Sequence, residues 1–243
     1  VERKLAALKI PAIYVDTDLD PVPHSQKSIE LLGKVLNREA RATQYLDFYK
    51  ARLAKVDKLV AEQGKRPLVF VEAKAGQGGS SACCFTHGEV YWGKLVQAAG
   101  GDNLGSQILP GVTGDVTLET VISKKPDVYV MSGTQFKDST SISPPFGFGP
   151  TVQQPAIDKA IAQLLKRPGM AQLKATRQNR VYGVYHHFYA SAWNILAVEY
   201  LAQAFYPQDA AGLDPAASTR TLLGMTGLGN VPAILFSQAP HGE

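Results

Sequence analysis

The longest regular pattern of apolar positions in the chain lies between Glu39 and Gln63. Apolar side chains recur there three and four residues apart, at Ala42, Leu46, Tyr49, Leu53, Val56, Leu59 and Val60. This spacing is the period of an amphipathic helix, and the stretch contains no Gly or Pro. The pattern predicts one helix over residues 39–63, about 38 Å long. Such a helix either packs along the surface of a domain or bridges two domains.

Shorter patterns on both sides of this helix alternate between strands and helices. Apolar runs predict strands at 10–15, 68–72, 128–131 and 180–185. Periodic segments predict helices at 1–9, 26–36, 89–99, 117–123, 156–165 and 191–205, and another from 214 onward. Ser25 or Ser28 is expected to cap the helix at 26–36. Because strands alternate with helices, the sequence predicts an α/β fold with a mostly parallel sheet flanked by helices.

Three loops follow the predicted strands and carry the candidate chemistry. They cover residues 76–86, 132–136 and 186–189, and they contain aromatic, hydroxyl and imidazole groups with few carboxylates. In open α/β sheets, ligands bind outside the carboxyl ends of the strands. The composition of the loops is typical of a binding cleft.

Composition and charge restrict the class of protein. The chain has 243 residues, 45% of them hydrophobic and 19% charged, which indicates a globular protein rather than a disordered one. No apolar run reaches the roughly 18 residues that a transmembrane helix needs. The net charge of +4 is mild, and it gives only weak support for an anionic ligand. No basic cluster is interleaved with aromatic residues, so nucleic acid is not a predicted partner.

Known catalytic and cofactor motifs match poorly. Gly76 and Gly78 follow a strand, but the third glycine of a dinucleotide fingerprint is replaced by Ser81. No phosphate-binding Gly-Lys-Ser/Thr and no G-x-S-x-G hydrolase elbow occurs. We therefore predict no cofactor and no catalytic residue.

Histidines and cysteines give no metal-binding spacing. His186 and His187 are neighbours at a predicted strand end, so we expect their side chains on opposite sides, one of them free to reach a ligand. The remaining histidines are scattered, at His24, His87 and His241. We predict no metal site from them. Cys83 and Cys84 are adjacent, and we expect them to stay two separate, partly buried thiols.

Several segments, taken in order, carry a family resemblance. They are LAALKIPAIYVD at 5–16, AAGGDN at 98–103, VTLETVISKKPDV at 116–128, NRVY at 179–182 and HHFYAS at 186–191, with the helix after it reaching Tyr206-Pro207 and then Leu213-Asp-Pro215. This order resembles the periplasmic substrate-binding proteins of iron–siderophore, haem and cobalamin ABC importers. The last segment and the adjacent cysteines are similar to the siderophore branch of that family.

The resemblance implies two α/β lobes joined by one long, rigid helix, with the ligand held between the lobes and no bond made or broken. Residues 1–38 would be a remnant of the N-terminal lobe, 39–64 the interlobe helix, and 65–243 the complete C-terminal lobe. Most of the N-terminal lobe is then expected to lie outside this chain. A single stiff helix between lobes also implies small lobe motions.

The resemblance also implies site residues and partners. The ligand-binding residues would be Cys84, Phe85, Thr86, Thr134, Gln135, Phe136, His187, Phe188 and Tyr189. Tyr189 would either hydrogen-bond the ligand or anchor the following helix, and Trp193 is expected in the core rather than in the ligand wall. Glu119 would dock onto an ABC permease in the inner membrane, although its place in the first turn of a helix also suits a carboxylate there.

The ligand implied is a metal chelate, foremost a ferric siderophore, with haem and cobalamin as alternatives. Proteins that bind bare metal ions supply their own histidine and carboxylate ligands. The implied location is the periplasm, or the outer face of the cytoplasmic membrane through a lipid anchor. A sensor lobe without transport, or an enzyme on an α/β fold, remains open from the residues alone.

Overall fold

The computed structural model describes residues 2–80, 83–137 and 140–240. The strands are β1 Leu68–Glu72, β2 Phe85–His87, β3 Asp102–Asn103, β4 Thr113–Asp115, β5 Val128–Gly133, β6 Gly147–Phe148, β7 Val181–Tyr185, β8 Ala233–Ile234 and β9 Phe236–Gln238. The central sheet has the order β3-β1-β5-β7-β9, and its pairs are parallel except for β7 and β9. Two small antiparallel sheets pair β2 with β4 and β6 with β8. The predicted α/β class with a mostly parallel sheet is confirmed.

Helices cover the central sheet. They are α1 Glu2–Ala7, α2 Pro21–Val35, α3 Glu39–Ala61, α4 Trp92–Ala98, α5 Leu104–Ile108, α6 Leu118–Lys124, α7 Gln154–Leu165, α8 Lys174–Arg177, α9 Asn194–Phe205 and α10 Pro215–Met225. Short 3-10 helices lie at Met170–Gln172, His186–Ala190 and Ala210–Gly212.

The core lies on both faces of the sheet. Alternate residues of one strand point to opposite faces, so Val69 and Val71 of β1 join a cluster with α3, α4 and α9. Phe70, between them, joins a second cluster on the α7 side. Burial on both faces explains why β1 and β5 are nearly continuous apolar runs that could be predicted from the sequence.

The long predicted helix is present as α3, which ends two residues earlier than predicted, at Ala61. It packs against α2 and α9. The hydroxyl of Tyr49 donates to Oδ1 of Asn194 at 2.7 Å, and Nδ2 of Asn194 donates to the carbonyl of Pro21 at 3.0 Å and to Ser25 Oγ at 2.7 Å. Asn194 is fully buried. These bonds tie α2, α3 and α9 into one unit.

The N-terminal segment departs from the prediction. Residues 10–15 form no strand, and Ile10, Ile13 and Tyr14 are 48%, 46% and 69% exposed. A parallel strand is stabilised by its neighbours, and no described strand lies beside this segment. The prediction of a buried strand is therefore wrong for this chain.

The start of α2 also differs from the prediction. The helix begins at Pro21, a residue whose fixed backbone suits the first helical position, after Asp20. Ser25 and Ser28 lie inside the helix and are buried, so neither is its cap. Ser28 Oγ instead donates to the carbonyl of Asp16 at 2.7 Å, which fixes the preceding loop to the helix.

Among the described residues, no helix combines the length and the apolar character that crossing a membrane requires.

Candidate ligand-binding site

The three predicted loops meet at one edge of the sheet. They follow β1, β5 and β7, which are parallel neighbours, so their carboxyl ends lie side by side. After the turn beyond β1, the chain returns as β2, and the N–H of Ala73 donates to the carbonyl of Phe85 at 2.8 Å. This bond sets β2 against the end of β1. The sheet thus brings residues 83–87, 134–136 and 186–189 to the same edge.

Aromatic and imidazole rings from these loops form a continuous network. The ring of His87 lies 5.4 Å from Phe85, 5.0 Å from Tyr91 and 5.5 Å from Tyr189, measured between centroids. Tyr189 is 5.2 Å from His186. The ring of Phe136 in the β5 loop is 5.8 Å from His186. We call the seven residues Phe85, His87, Tyr91, Phe136, His186, His187 and Tyr189 the ring network.

The nine ligand-binding residues predicted from the resemblance divide into two groups. Phe85, Phe136, His187 and Tyr189 belong to the ring network, and Thr134 and Gln135 adjoin it in the β5 loop, all of them at least partly exposed. Cys84, Thr86 and Phe188 are fully buried. Thr86 Oγ1 donates to the carbonyl of Val71 at 2.7 Å, so its hydroxyl is bonded to the backbone of β1. The ligand-binding role of all nine residues stays a prediction.

The two neighbouring histidines are not arranged as predicted. β7 ends at Tyr185, and His186 starts a 3-10 helix instead of continuing the strand. Their rings lie 5.2 Å apart instead of on opposite sides. His186 is buried and its Nδ1 lies 2.9 Å from Ser132 Oγ, whereas His187 is exposed. One histidine is thus structural and its neighbour faces solvent.

The cysteines also differ from the prediction. Cys83 and Cys84 form a disulfide with each other and are not separate thiols. A cis peptide bond joins them, and it places their Cα atoms 3.0 Å apart. Cys84 is buried against Tyr129, whose hydroxyl lies 3.7 Å from its sulfur.

Burial keeps the imidazoles of the site neutral. It lowers the pKa of His87 from 6.5 to about 4, with a smaller contribution from the Lys74 ammonium. It lowers the pKa of His186 to about 3, assisted by His187, Lys74 and His87. The pKa of His187 is lowered by burial and by Lys74. At neutral pH the ring network therefore offers uncharged nitrogens.

A buried ion pair lies under the loop that follows β1. Arg167 donates from both terminal nitrogens to the two carboxylate oxygens of Glu72, at 2.7 and 2.6 Å. The hydroxyl of Tyr129 donates to the same carboxylate at 2.7 Å. Glu72, Cys83 and Cys84 are the one group of potential metal ligands in the described part of the chain. Both carboxylate oxygens are bound by Arg167 and the sulfurs are bonded to each other, so the group is not an open ligand set.

Sequence reasoning missed several members of the site. The spacing of His87 indicates no site, and the sequence does not distinguish His186 from its neighbour, yet both histidines connect the other rings. Tyr91 and Lys74 had no motif around them. A usable signal was position: Lys74 lies two residues beyond the end of β1, at the edge where ligands bind in such sheets.

The family comparison agrees with this geometry. A family model described as periplasmic binding protein matches residues 3–185, about three quarters of the chain. The chain belongs to the periplasmic binding protein family. No curated relative matches it.

Solved structures of periplasmic binding proteins share the fold. The TroA-like periplasmic binding protein FepB from Veillonella parvula is 26% identical with a TM-score of 0.88, over 99% of this chain and 68% of that one. An ABC transporter solute binding protein from Sulfurospirillum deleyianum is 18% identical with a TM-score of 0.67, over 92% of this chain and 62% of that one. The periplasmic haem-binding protein RhuT from Roseiflexus is 20% identical with a TM-score of 0.62, over 85% of this chain and 70% of that one. This chain therefore spans roughly two thirds of the length of these relatives.

Glu119 is exposed in the first turn of α6 of this periplasmic binding protein. Thr117 caps the helix by accepting the N–H of Thr120 at 3.2 Å. Hydrogen bonds from the backbone N–H of Glu119 and from Thr117 lower the pKa of the Glu119 carboxyl. A negative charge is favoured at this start of the helix, and docking stays a prediction.

An apolar cavity of about 280 Å³ is lined by α2, α3, α10 and the residues just before α9 in this family member. Trp193 lines it, and its ring is 5.2 Å from Phe148. Trp193 is partly exposed and packs against the core, and its place in the core rather than in a ligand wall stays a prediction.

Proposed function

We propose that this chain is the ligand-holding part of a solute-binding component of an ABC importer, and that its ligand is a metal chelate, foremost a ferric siderophore. The observation that supports this is the ring network at the carboxyl edge of a family-type sheet. Its faces are aromatic, its imidazoles are uncharged at neutral pH, and none of its members is a carboxylate. Such a surface suits a preformed organic complex, and among the described residues its histidines do not join any group of three potential metal ligands that could hold a bare cation.

In this proposal the ligand rests on the exposed edges of Phe85, Phe136, His187 and Tyr189, with Thr134 and Gln135 at its margin. Residues 1–38, 39–64 and 65–243 act as a partial first lobe, an interlobe helix and a complete second lobe. The component works in the periplasm, or lipid-anchored at the outer face of the cytoplasmic membrane. It releases the chelate to a permease that contacts Glu119. No bond is made or broken.

Haem is the second candidate ligand. His187 is exposed, and its lowered pKa leaves a neutral ring nitrogen at pH 7, the form that coordinates iron. A haem ligated by His187 would give an imidazole-dependent Soret band that is lost in His187→Ala. A siderophore complex would show no such dependence, because its iron is already fully coordinated by the chelator.

Calorimetric titration tests the proposal directly. The protein is titrated with a ferric tris-catecholate, a ferric tris-hydroxamate, haemin and cobalamin. Tyr189→Ala is expected to raise the dissociation constant of the bound chelate about fivefold, the equivalent of about 1 kcal/mol for one aromatic contact. Tyr189→Phe, which keeps the ring, is the matched control and is expected to stay within twofold, on the order of a few tenths of a kcal/mol. Binding of none of the four probes would refute the chelate proposal.

A further inference from the structure

Lys74 occupies an unusual backbone position at the site. It follows β1 by two residues and has φ of +55°, in the left-handed region that residues with a side chain seldom adopt. A residue held there costs free energy unless the surroundings fix it, and such residues cluster at functional positions. The residues directly before and after it, Ala73 and Ala75, are buried, whereas Lys74 is exposed. The local chain therefore turns this one side chain outward.

The backbone around Lys74 is held by Ser132 of the neighbouring strand β5. Its N–H donates to Ser132 Oγ at 3.1 Å, and the N–H of Ala75 donates to the Ser132 carbonyl at 2.9 Å. Ser132 Oγ lies 2.9 Å from Nδ1 of His186. Because His186 is neutral, the hydroxyl can accept from Lys74 and donate to Nδ1, which satisfies every partner. Since Ser132 is fully buried and engaged on both sides, it holds the turn and is not a nucleophile.

The ammonium of Lys74 faces the ring network. Nζ lies 5.7 Å from the centroid of Phe85. Its charge also contributes, after burial, to the lowered pKa of His87, His186 and His187. In the described ranges, Lys74 makes no ion pair. The Asp18 carboxylate acts electrostatically on Tyr189, whose pKa is raised mainly by burial.

We propose that Lys74 is the specificity residue of the site and that it selects chelates carrying a negative group on the face that rests on Phe85. Ser132 and His186 are positioning residues that hold its backbone in the outward-facing turn. The inference rests on the proposed function and names the ligand class within it: an anionic metal chelate. The imidazoles around Lys74 are uncharged at neutral pH, so its ammonium supplies the positive charge beside Phe85.

Lys74→Met tests the charge with little change in backbone cost, since neither side chain is β-branched. The probes are the trianionic ferric tris-catecholate and the neutral ferric tris-hydroxamate, titrated at two salt concentrations. We expect Lys74→Met to raise the dissociation constant of the anionic chelate about tenfold, as for the loss of one charge-assisted contact. The dissociation constant of the neutral chelate should stay unchanged. Lys125→Met is the matched control, because Lys125 is also exposed with φ of +52° but lies before β5, at the opposite edge of the sheet.

Ser132→Ala tests the positioning role. It keeps the ammonium but removes the hydroxyl that fixes the turn, so we expect the anionic-to-neutral affinity ratio and its salt dependence to fall toward the Lys74→Met values. Equal losses for both chelates in Lys74→Met, no loss for the anionic one, or binding of the neutral chelate alone would overturn the inference while the proposed function stands. If the unsubstituted protein binds neither chelate nor haemin nor cobalamin, the proposed function itself fails.

Discussion

The buried pair of Glu72 and Arg167 permits a quantitative test of what holds the end of β1 in place. Both side chains are almost inaccessible, at 2% and 4% exposure. Arg167→Met keeps much of the side-chain volume and removes both donors. The Glu72 carboxylate then retains only the hydrogen bond from Tyr129 among the three that it accepts. Breaking a buried pair in this way costs about 3–5 kcal/mol, because a charge is left without a partner in a dry environment.

Urea unfolding followed by circular dichroism measures this cost. A loss of about 3–5 kcal/mol is a large part of the roughly 5–15 kcal/mol that stabilises a typical domain. The matched control is Lys34→Met, which breaks the exposed pair of Lys34 and Glu30 within α2. That pair is fully exposed to solvent, so breaking it is expected to change the free energy of unfolding far less than Arg167→Met does.

A double variant separates the lost attraction from the stranded charge. Glu72→Met in the Arg167→Met background removes the unpaired carboxylate and leaves the Tyr129 hydroxyl without its acceptor, at a cost of about 1–3 kcal/mol. We therefore expect the double variant to be more stable than Arg167→Met by about 2 kcal/mol. If Arg167→Met costs no more than Lys34→Met, or if the double variant is the less stable one, the pair does not act as a desolvated charge pair.

Two further predictions concern protonation and docking. The folded pKa of His186 is about 3 and the unfolded one about 6.5, so the unfolded state binds more protons between these values. The contribution of His186 to the free energy of unfolding is complete above pH 6.5 and falls as the pH drops toward 3, by up to about 1.4 kcal/mol per pH unit. Urea titrations of His186→Asn across that range should show a shallower decline of the free energy of unfolding. Glu119→Ala is expected to lower the ligand-dependent stimulation of the permease ATPase in a reconstituted transporter. Glu39→Ala, at an equally exposed first-turn glutamate of α3, is expected to leave it unchanged, and equal rates for the two variants would argue against docking at Glu119.

The part of the fold that the sequence predicts is the part governed by local patterns and by burial on both faces. β1 matches its predicted range of 68–72, and α3 and α6 lie within a residue or two of theirs. The same patterns, with the rule that ligands bind at carboxyl ends, placed three loops at one edge. Those loops follow β1, β5 and β7, which are indeed neighbours.

The remaining features depend on partners that are distant in the sequence. The apolar run at 10–15 has the composition of a strand but no described strand beside it, so composition alone predicted it wrongly. The turn at Lys74 is fixed by Ser132, 58 residues away in the chain, and a lone lysine after a strand carries no motif. The capping prediction for α2 failed because the helix begins at Pro21, four residues before Ser25. Ser25 is instead buried and accepts from Asn194, 169 residues away, a contact that no local pattern encodes.

The ring network gives the molecule a built-in optical reporter. The chain has two tryptophans. Trp92 is fully buried and lies 6.2 Å from Tyr189, whereas Trp193 contacts Phe148, which contacts Tyr185, which in turn contacts His187. Trp92 in apolar surroundings should emit at shorter wavelength than the partly exposed Trp193. A coloured ferric complex seated over Tyr189 should therefore quench the blue side of the emission first, and one seated over Tyr185 the red side. The shape of the quenched spectrum would report whether a chelate rests nearer to Tyr189 or to Tyr185, without any label added to the protein.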